Sequence, residues 1–130
     1  MSAPSSGPKT ILVVDDDKAF RTVVRDVLEG AGYRILVAPN ALEALQINKT
    51  FQGRIDLVII DVILPLMSGI ALAEQIGRRR PARLLMMSGQ AEGIAKAAAR
   101  TPSVRVIPKP LTHDALLREV RGMLGARQVV

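Results

Sequence analysis

Residues 54–69, RIDLVIIDVILPLMSG, limit the possible fold more than any other stretch of this chain. Leu57-Val58-Ile59-Ile60 is a short apolar run rich in β-branching, the pattern of a strand buried on both faces in a parallel sheet. The expected strand, Asp56–Ile60, leads directly into Asp61. Open α/β sheets place ligand chemistry at the carboxyl ends of such strands, which makes Asp61 the candidate reactive centre. Pro65, Ser68 and Gly69 then supply loop chemistry before another helical pattern.

The rest of the chain repeats this alternation. Thr10–Val14, Arg34–Ala38, Arg83–Met87 and Val104–Ile107 read as four further strands. Between them lie helical patterns. Phe20, Val23, Val24, Val27 and Leu28 form one apolar stripe, closed by Gly30 and Gly32. Asn40 and Glu43 resemble a helix start, followed by Leu42, Leu45 and Ile47 as the inward stripe. Ser68 starts a third helix with Ile70, Leu72, Ala73 and Ile76 inward, ended by Arg78-Arg79-Arg80 and Pro81. Ala91–Arg100 is helical by propensity but has a weak apolar stripe, and a mobile segment is expected there. Thr112 starts the last helix, whose inner face is Leu116, Leu117, Val120, Met123 and Leu124. Five βα units in one domain imply a parallel sheet with right-handed crossovers and helices on both faces. The expected layout is a tail at 1–8, the domain at 9–125 and a short C-terminal tail at 126–130.

Composition narrows the function. The chain lacks cysteine, which removes disulfide and thiol chemistry. No apolar run approaches the length of a membrane span, and the N-terminus lacks a signal-like segment, so a cytoplasmic protein is expected. A net charge of +6 invites a nucleic-acid partner, but aromatic residues are only 2% and cannot supply stacking platforms. Asp15, Asp16 and Asp17 also concentrate acid within this basic chain, which suits a cation site better than a nucleic-acid surface.

Four groups follow strand ends in this reading: Asp15/Asp16, Asp61, Ser88 and Lys109. In a parallel sheet those ends share one edge, so residues distant in sequence converge. Three carboxylates without histidine or cysteine favour a hard, oxygen-seeking cation, most simply Mg2+. A hydroxyl and an ammonium beside them suit a phosphoryl group, and a carboxylate is a competent nucleophile towards phosphorus. Asp17 is assigned to helix capping, and His113 to the surface.

VVDDD at 13–17, DVILPLMSG from Asp61, MSG at 87–89 and PKP at 108–110 together resemble response-regulator receiver domains. The resemblance spans roughly Lys9 to Leu124. It implies a flavodoxin-like (βα)5 three-layer sandwich whose parallel sheet runs in order 2-1-3-4-5. It further implies Asp61 as phosphoacceptor, with Mg2+ held by Asp15, Asp16, Asp61 and the backbone carbonyl of Ile63. Ser88 and Lys109 are implied to contact the phosphoryl group, with a cis peptide at Lys109–Pro110. The implied donor is a phosphohistidine on a sensor histidine kinase or phosphotransfer protein. The family usually carries Tyr or Phe as a switch partner of Ser88, three residues before the lysine; this chain has Val106. Lys96, Arg100, Arg105, Arg118 and Arg121 are expected to form a face for an acidic partner. Catalysis beyond weak self-phosphorylation and autodephosphorylation is not expected.

Three other readings compete. A pseudo-receiver would bind proteins without phosphorylation, a reading that Val106 favours and the full set of site residues opposes. A phosphatase with an aspartyl-phosphate intermediate typically has a second Asp two residues after the nucleophile, where this chain has Ile63. A nucleic-acid binder lacks a recognisable motif here.

Overall fold

The computed structural model describes residues 7–100 and 104–125. The expected tails at 1–8 and 126–130 fall largely outside them; Gly7 and Pro8 are exposed and precede the first strand. Five strands alternate with five helices: β1 (Thr10–Val14), α1 (Lys18–Gly30), β2 (Arg34–Ala38), α2 (Ala41–Thr50), β3 (Leu57–Asp61), α3 (Gly69–Arg79), β4 (Arg83–Ser88), α4 (Ala91–Arg100), β5 (Arg105–Pro108) and α5 (His113–Leu124). The sheet is parallel throughout, in order β2-β1-β3-β4-β5. β3 and β5 each start and end one residue later than the expected Asp56–Ile60 and Val104–Ile107. β3 thereby includes Asp61, which pairs with Met87, and β4 includes Ser88, which pairs with Pro108.

Strand side chains alternate between faces, and here both faces are apolar. Leu12, Val14, Val58, Ile60 and Met86 pack beneath α2, α3 and α4. Ile11, Val13, Leu57, Ile59, Leu85 and Met87 pack beneath α1 and α5. β-Branched chains fit this two-sided burial because their restricted rotamers suit the pleated surface.

The helix starts are fixed by side-chain caps. Asp17 accepts hydrogen bonds from the N–H groups of Ala19 and Phe20. Asn40, Ser68 and Thr112 accept from Glu43, Ala71 and Ala115 respectively. Each satisfies an N–H that the first helical turn leaves unpaired. The α3 stripe is as the spacing predicts, with Ile70, Leu72, Ala73 and Ile76 all buried.

Two expected core positions are wrong. Val23 on α1 is 43% exposed and Leu42 on α2 is 61% exposed. α2 instead turns Ala41, Ala44 and Asn48 inward, with Leu45 and Ile47 only half-buried. Ala41, Ala44 and Asn48 share one face at i, i+3 and i+7 spacing, and Leu42 falls off that stripe. α4 buries only Gly93 and Ala97, consistent with its weak stripe.

Candidate functional site

The site forms where β1, β3 and β5 end. Asp15 follows β1, Asp61 ends β3 and Lys109 follows β5. Alternation puts all three on the side of the sheet that faces α1 and α5, in step with Val13, Ile59 and Ile107. The sheet therefore delivers two carboxylates and one ammonium to a single point.

Lys109 Nζ lies 2.5 Å from Asp15 Oδ2 and 2.9 Å from Asp61 Oδ2, bridging the two carboxylates. The other oxygen of each takes a backbone donor: Asp17 N–H donates to Asp15 Oδ1 and Ile63 N–H to Asp61 Oδ1, both at 2.9 Å. These charge-assisted bonds fix the orientation of both side chains. Asp15 is buried, and desolvation pushes its carboxyl above the usual range, opposed by the bond from Lys109. Burial by itself would lower Lys109, but its bonds to Asp15 and Asp61 outweigh that and hold the ammonium above its ordinary range.

Oxygens of Asp15, Asp16 and Asp61 all lie within 4.8 Å of one another. Asp16 is exposed, so the cluster opens to solvent on one side. Such an all-oxygen donor set fits a hard divalent cation. Asp17 contributes a cap and no carboxylate to this group, as its position after the strand implies. Ile63 enters the site through its N–H, and its side chain is 48% exposed. Lys109–Pro110 is cis, as the resemblance implies.

Ser88 behaves differently. It is fully buried, and its hydroxyl donates to Gln90 O at 3.2 Å while accepting from Gln90 N–H at 3.1 Å. The structure thus ties Ser88 to the start of α4 rather than to Asp61. Strand parity explains this, because Ser88 is in step with Met86 and faces the α2–α4 side. Val106 is half-buried against that same apolar cluster.

The five cations of the expected face have different surroundings. Lys96 and Arg100 line a groove of about 480 Å³ between α4 and the β3–α3 loop, opposite Ile63, Leu66 and Met67. Arg105 is paired with Glu119 through two 2.9 Å bonds. Arg118 and Arg121 are exposed on α5.

Three site neighbours escaped sequence reasoning. The Phe20 ring lies 4.2 Å from Lys109 Nζ, placing the ammonium over an aromatic face. Arg21 Nη1 donates to Asp15 O at 2.8 Å. A Cβ on Gly69 would stand 2.0 Å from Asp61 O, so only glycine lets α3 start this close to the site. Phe20 and Arg21 had a signal in their place, the first turn of the helix after Asp15, but helical periodicity put Phe20 only in the apolar stripe.

This is an open, doubly wound α/β domain with an acidic, lysine-bridged pocket at the carboxyl edge of its sheet. The family model of the response regulator receiver domain matches residues 11–121, and the chain belongs to that family of two-component signalling proteins. Among curated relatives, it is 31% identical over 121 residues to the sensor kinase CckA of Brucella abortus, covering 92% of this chain and 13% of that protein. It is 35% identical over 119 residues to the DNA-binding transcriptional regulator NtrC of Azospirillum brasilense, covering 90% and 24%. The chain therefore spans a quarter or less of the length of these two relatives. Among solved structures, a CheY-like receiver domain from Methanospirillum hungatei superposes with a TM-score of 0.80 at 29% identity, covering 91% of this chain and 94% of that one. The response regulator TrrA of Thermotoga maritima, solved in complex with Mg2+ and BeF, gives 0.75 at 30% identity, covering 88% and 98%.

Proposed function

We propose that this receiver domain accepts a phosphoryl group on Asp61 from a phosphohistidine of a sensor histidine kinase or phosphotransfer protein, and that the change alters a partner-binding surface. The observation that carries the reading is the Lys109 bridge between Asp15 and Asp61, with Asp16 completing the carboxylate cluster.

In the transfer, an Asp61 carboxylate oxygen forms a bond to phosphorus. The P–N bond of the donor breaks, and its electron pair leaves with the imidazole nitrogen. Asp15, Asp16, Asp61 and the Ile63 carbonyl would hold Mg2+, which when bound supplies positive charge beside the phosphoryl oxygens. Lys109 already stands 2.9 Å from Asp61 and contributes a second positive charge there. The Ile63 N–H keeps the Asp61 carboxylate from rotating freely. Ser88 would meet the phosphoryl group only after leaving Gln90. Positioning and charge neutralisation account for most of such a transfer. The domain is thus a signalling acceptor with weak self-catalysis rather than an enzyme acting on other substrates.

The likeness to a sensor kinase and to a transcriptional regulator supports a place in histidine-to-aspartate signalling. Among the described residues, no helix is long and apolar enough to cross a membrane, which supports a cytoplasmic location. Exposed Arg118 and Arg121 suit an acidic partner. Charge reversal at both would then weaken binding of that partner.

The test is intact mass after incubation with a small phosphodonor and Mg2+. The native chain gains one phosphoryl group, and Asp61→Asn gains none. A folded native chain that binds Mg2+ but gains no mass supports the pseudo-receiver instead.

A further inference from the structure

α4 breaks a local rule at Gly93. The helix reads AEGIAKAAAR, and alanine would be about 1 kcal/mol better than glycine at an interior position. Five alanines surround this one glycine. Gly93 is buried, and a Cβ there would lie 2.6 Å from Ser88 Oγ, 3.3 Å from Ser88 Cβ and 3.5 Å from Val62 Cγ1. Gly89, four residues earlier, would meet nothing within 4 Å. The space left by the missing Gly93 side chain therefore faces the Ser88 hydroxyl.

That hydroxyl is committed where it stands. A serine has one O–H to donate, and Ser88 donates it to Gln90 O. The same carbonyl accepts the Ile94 N–H at 3.2 Å. Ser88 thus shares an acceptor with the first turn of α4. Turning the hydroxyl towards Asp61 requires it to release Gln90 O and Gln90 N–H together.

We propose that Gly93 is a positioning residue: its missing side chain makes the space that holds the Ser88 hydroxyl on Gln90, so that movement of Ser88 to a phosphoryl group on Asp61 is transmitted directly to the first turn of α4. The proposal rests on the reading of Asp61 as phosphoacceptor. It gives this chain a route from Ser88 to its surface that does not need an aromatic side chain at Val106. Gln90 and Gly93 also line the groove that faces Ile63, Leu66 and Met67, so the shape of that groove follows the state of Ser88.

The test compares amide NMR spectra of the native chain, Gly93→Ala, Ser88→Ala and the double variant, each with and without Mg2+ and beryllium fluoride. Gly93→Ala raises helix propensity, and the double variant removes the hydroxyl that its Cβ would meet at 2.6 Å, so the comparison does not rest on the single variant alone. Without fluoride, Gly93→Ala is expected to move the Gln90 and Ile94 resonances towards their positions in the fluoride-loaded native chain. It should also speed Gln90 amide exchange about tenfold, the loss of one hydrogen bond. In the Ser88→Ala background the same substitution should add little, because the atom at 2.6 Å is gone. Equal shifts in both backgrounds, or no shift in either, overturn the proposal. A native spectrum that ignores beryllium fluoride overturns the Asp61 reading and the link to it. The fluoride-free comparison still decides whether Gly93 positions Ser88.

Discussion

The Lys109 ammonium lies 2.5 Å from the Asp15 carboxylate, 94 positions earlier in the chain, and reaches Asp61 in the same grip. Two buried carboxylates at the end of adjacent strands repel one another, and the lysine offsets that repulsion. Lys109→Met should cost about 3 kcal/mol of stability, as expected when one partner of a buried charged group is removed. Urea denaturation without divalent cations measures it. Adding Mg2+ should recover part of the loss, since a cation among the same oxygens replaces some of the missing charge.

Mg2+ should stabilise the native chain by mass action. At a concentration tenfold above its Kd the gain is about 1.4 kcal/mol. Asp15→Asn and Asp61→Asn should lose most of this gain while remaining folded. Thermal denaturation across a Mg2+ titration reads it directly; equal stabilisation of all three chains would remove the carboxylate cluster as the binding site.

Gly69→Ala should be among the most damaging small substitutions in the chain. Its Cβ would meet the backbone of Asp61 and Val62, with no flexible side-chain end to give way. Overpacking against backbone costs about 1–3 kcal/mol or more. The β3–α3 loop must shift to accept it, so phosphorylation of Asp61 should slow as stability falls.

The Arg105–Glu119 pair predicts a small acid-side effect. The Arg105 hydrogen bond holds the Glu119 carboxyl below its ordinary 4.5. A carboxyl lowered on folding contributes stability that is present above its unfolded pKa and lost as pH falls through the folded one. Arg105 is 57% exposed, so solvent screens the pair and the contribution is at most about 0.5–1 kcal/mol. Glu119→Gln should therefore be slightly less stable than the native chain at pH 7, and the difference should shrink as pH falls through the range in which Glu119 protonates.

Hydrogen exchange should find α4 the most open of the helices. It buries only Gly93 and Ala97, whereas α3 buries five residues, among them Ile70, Leu72 and Ile76. Local opening is easiest where little apolar area holds an element down. Its amides should exchange at least tenfold faster than those of β3; equal protection would contradict this.

Much of the scaffold could be read in one dimension because its signals are local. β-Branched runs, the Asp17, Asn40, Ser68 and Thr112 caps, and the α3 stripe each depend on neighbours within a few positions. Leu42 shows where this fails: periodicity gives a helix but not the rotation at which it docks. Lys96 and Arg100 are a second case: periodicity makes them exposed, but does not show that they line a groove opposite the β3–α3 loop.

The order of strands and helices along the chain already brings Asp15, Asp61, Ser88 and Lys109 to one edge, because every parallel strand ends on the same side. Which of them meet depends on the folded sheet. Alternation sends Asp15, Asp61 and Lys109 to the α1–α5 face and Ser88 to the α4 face. A one-residue slip of register would reverse that assignment. Ser88 accordingly sits with Gln90 and Gly93, while Lys109 holds Asp15 and Asp61.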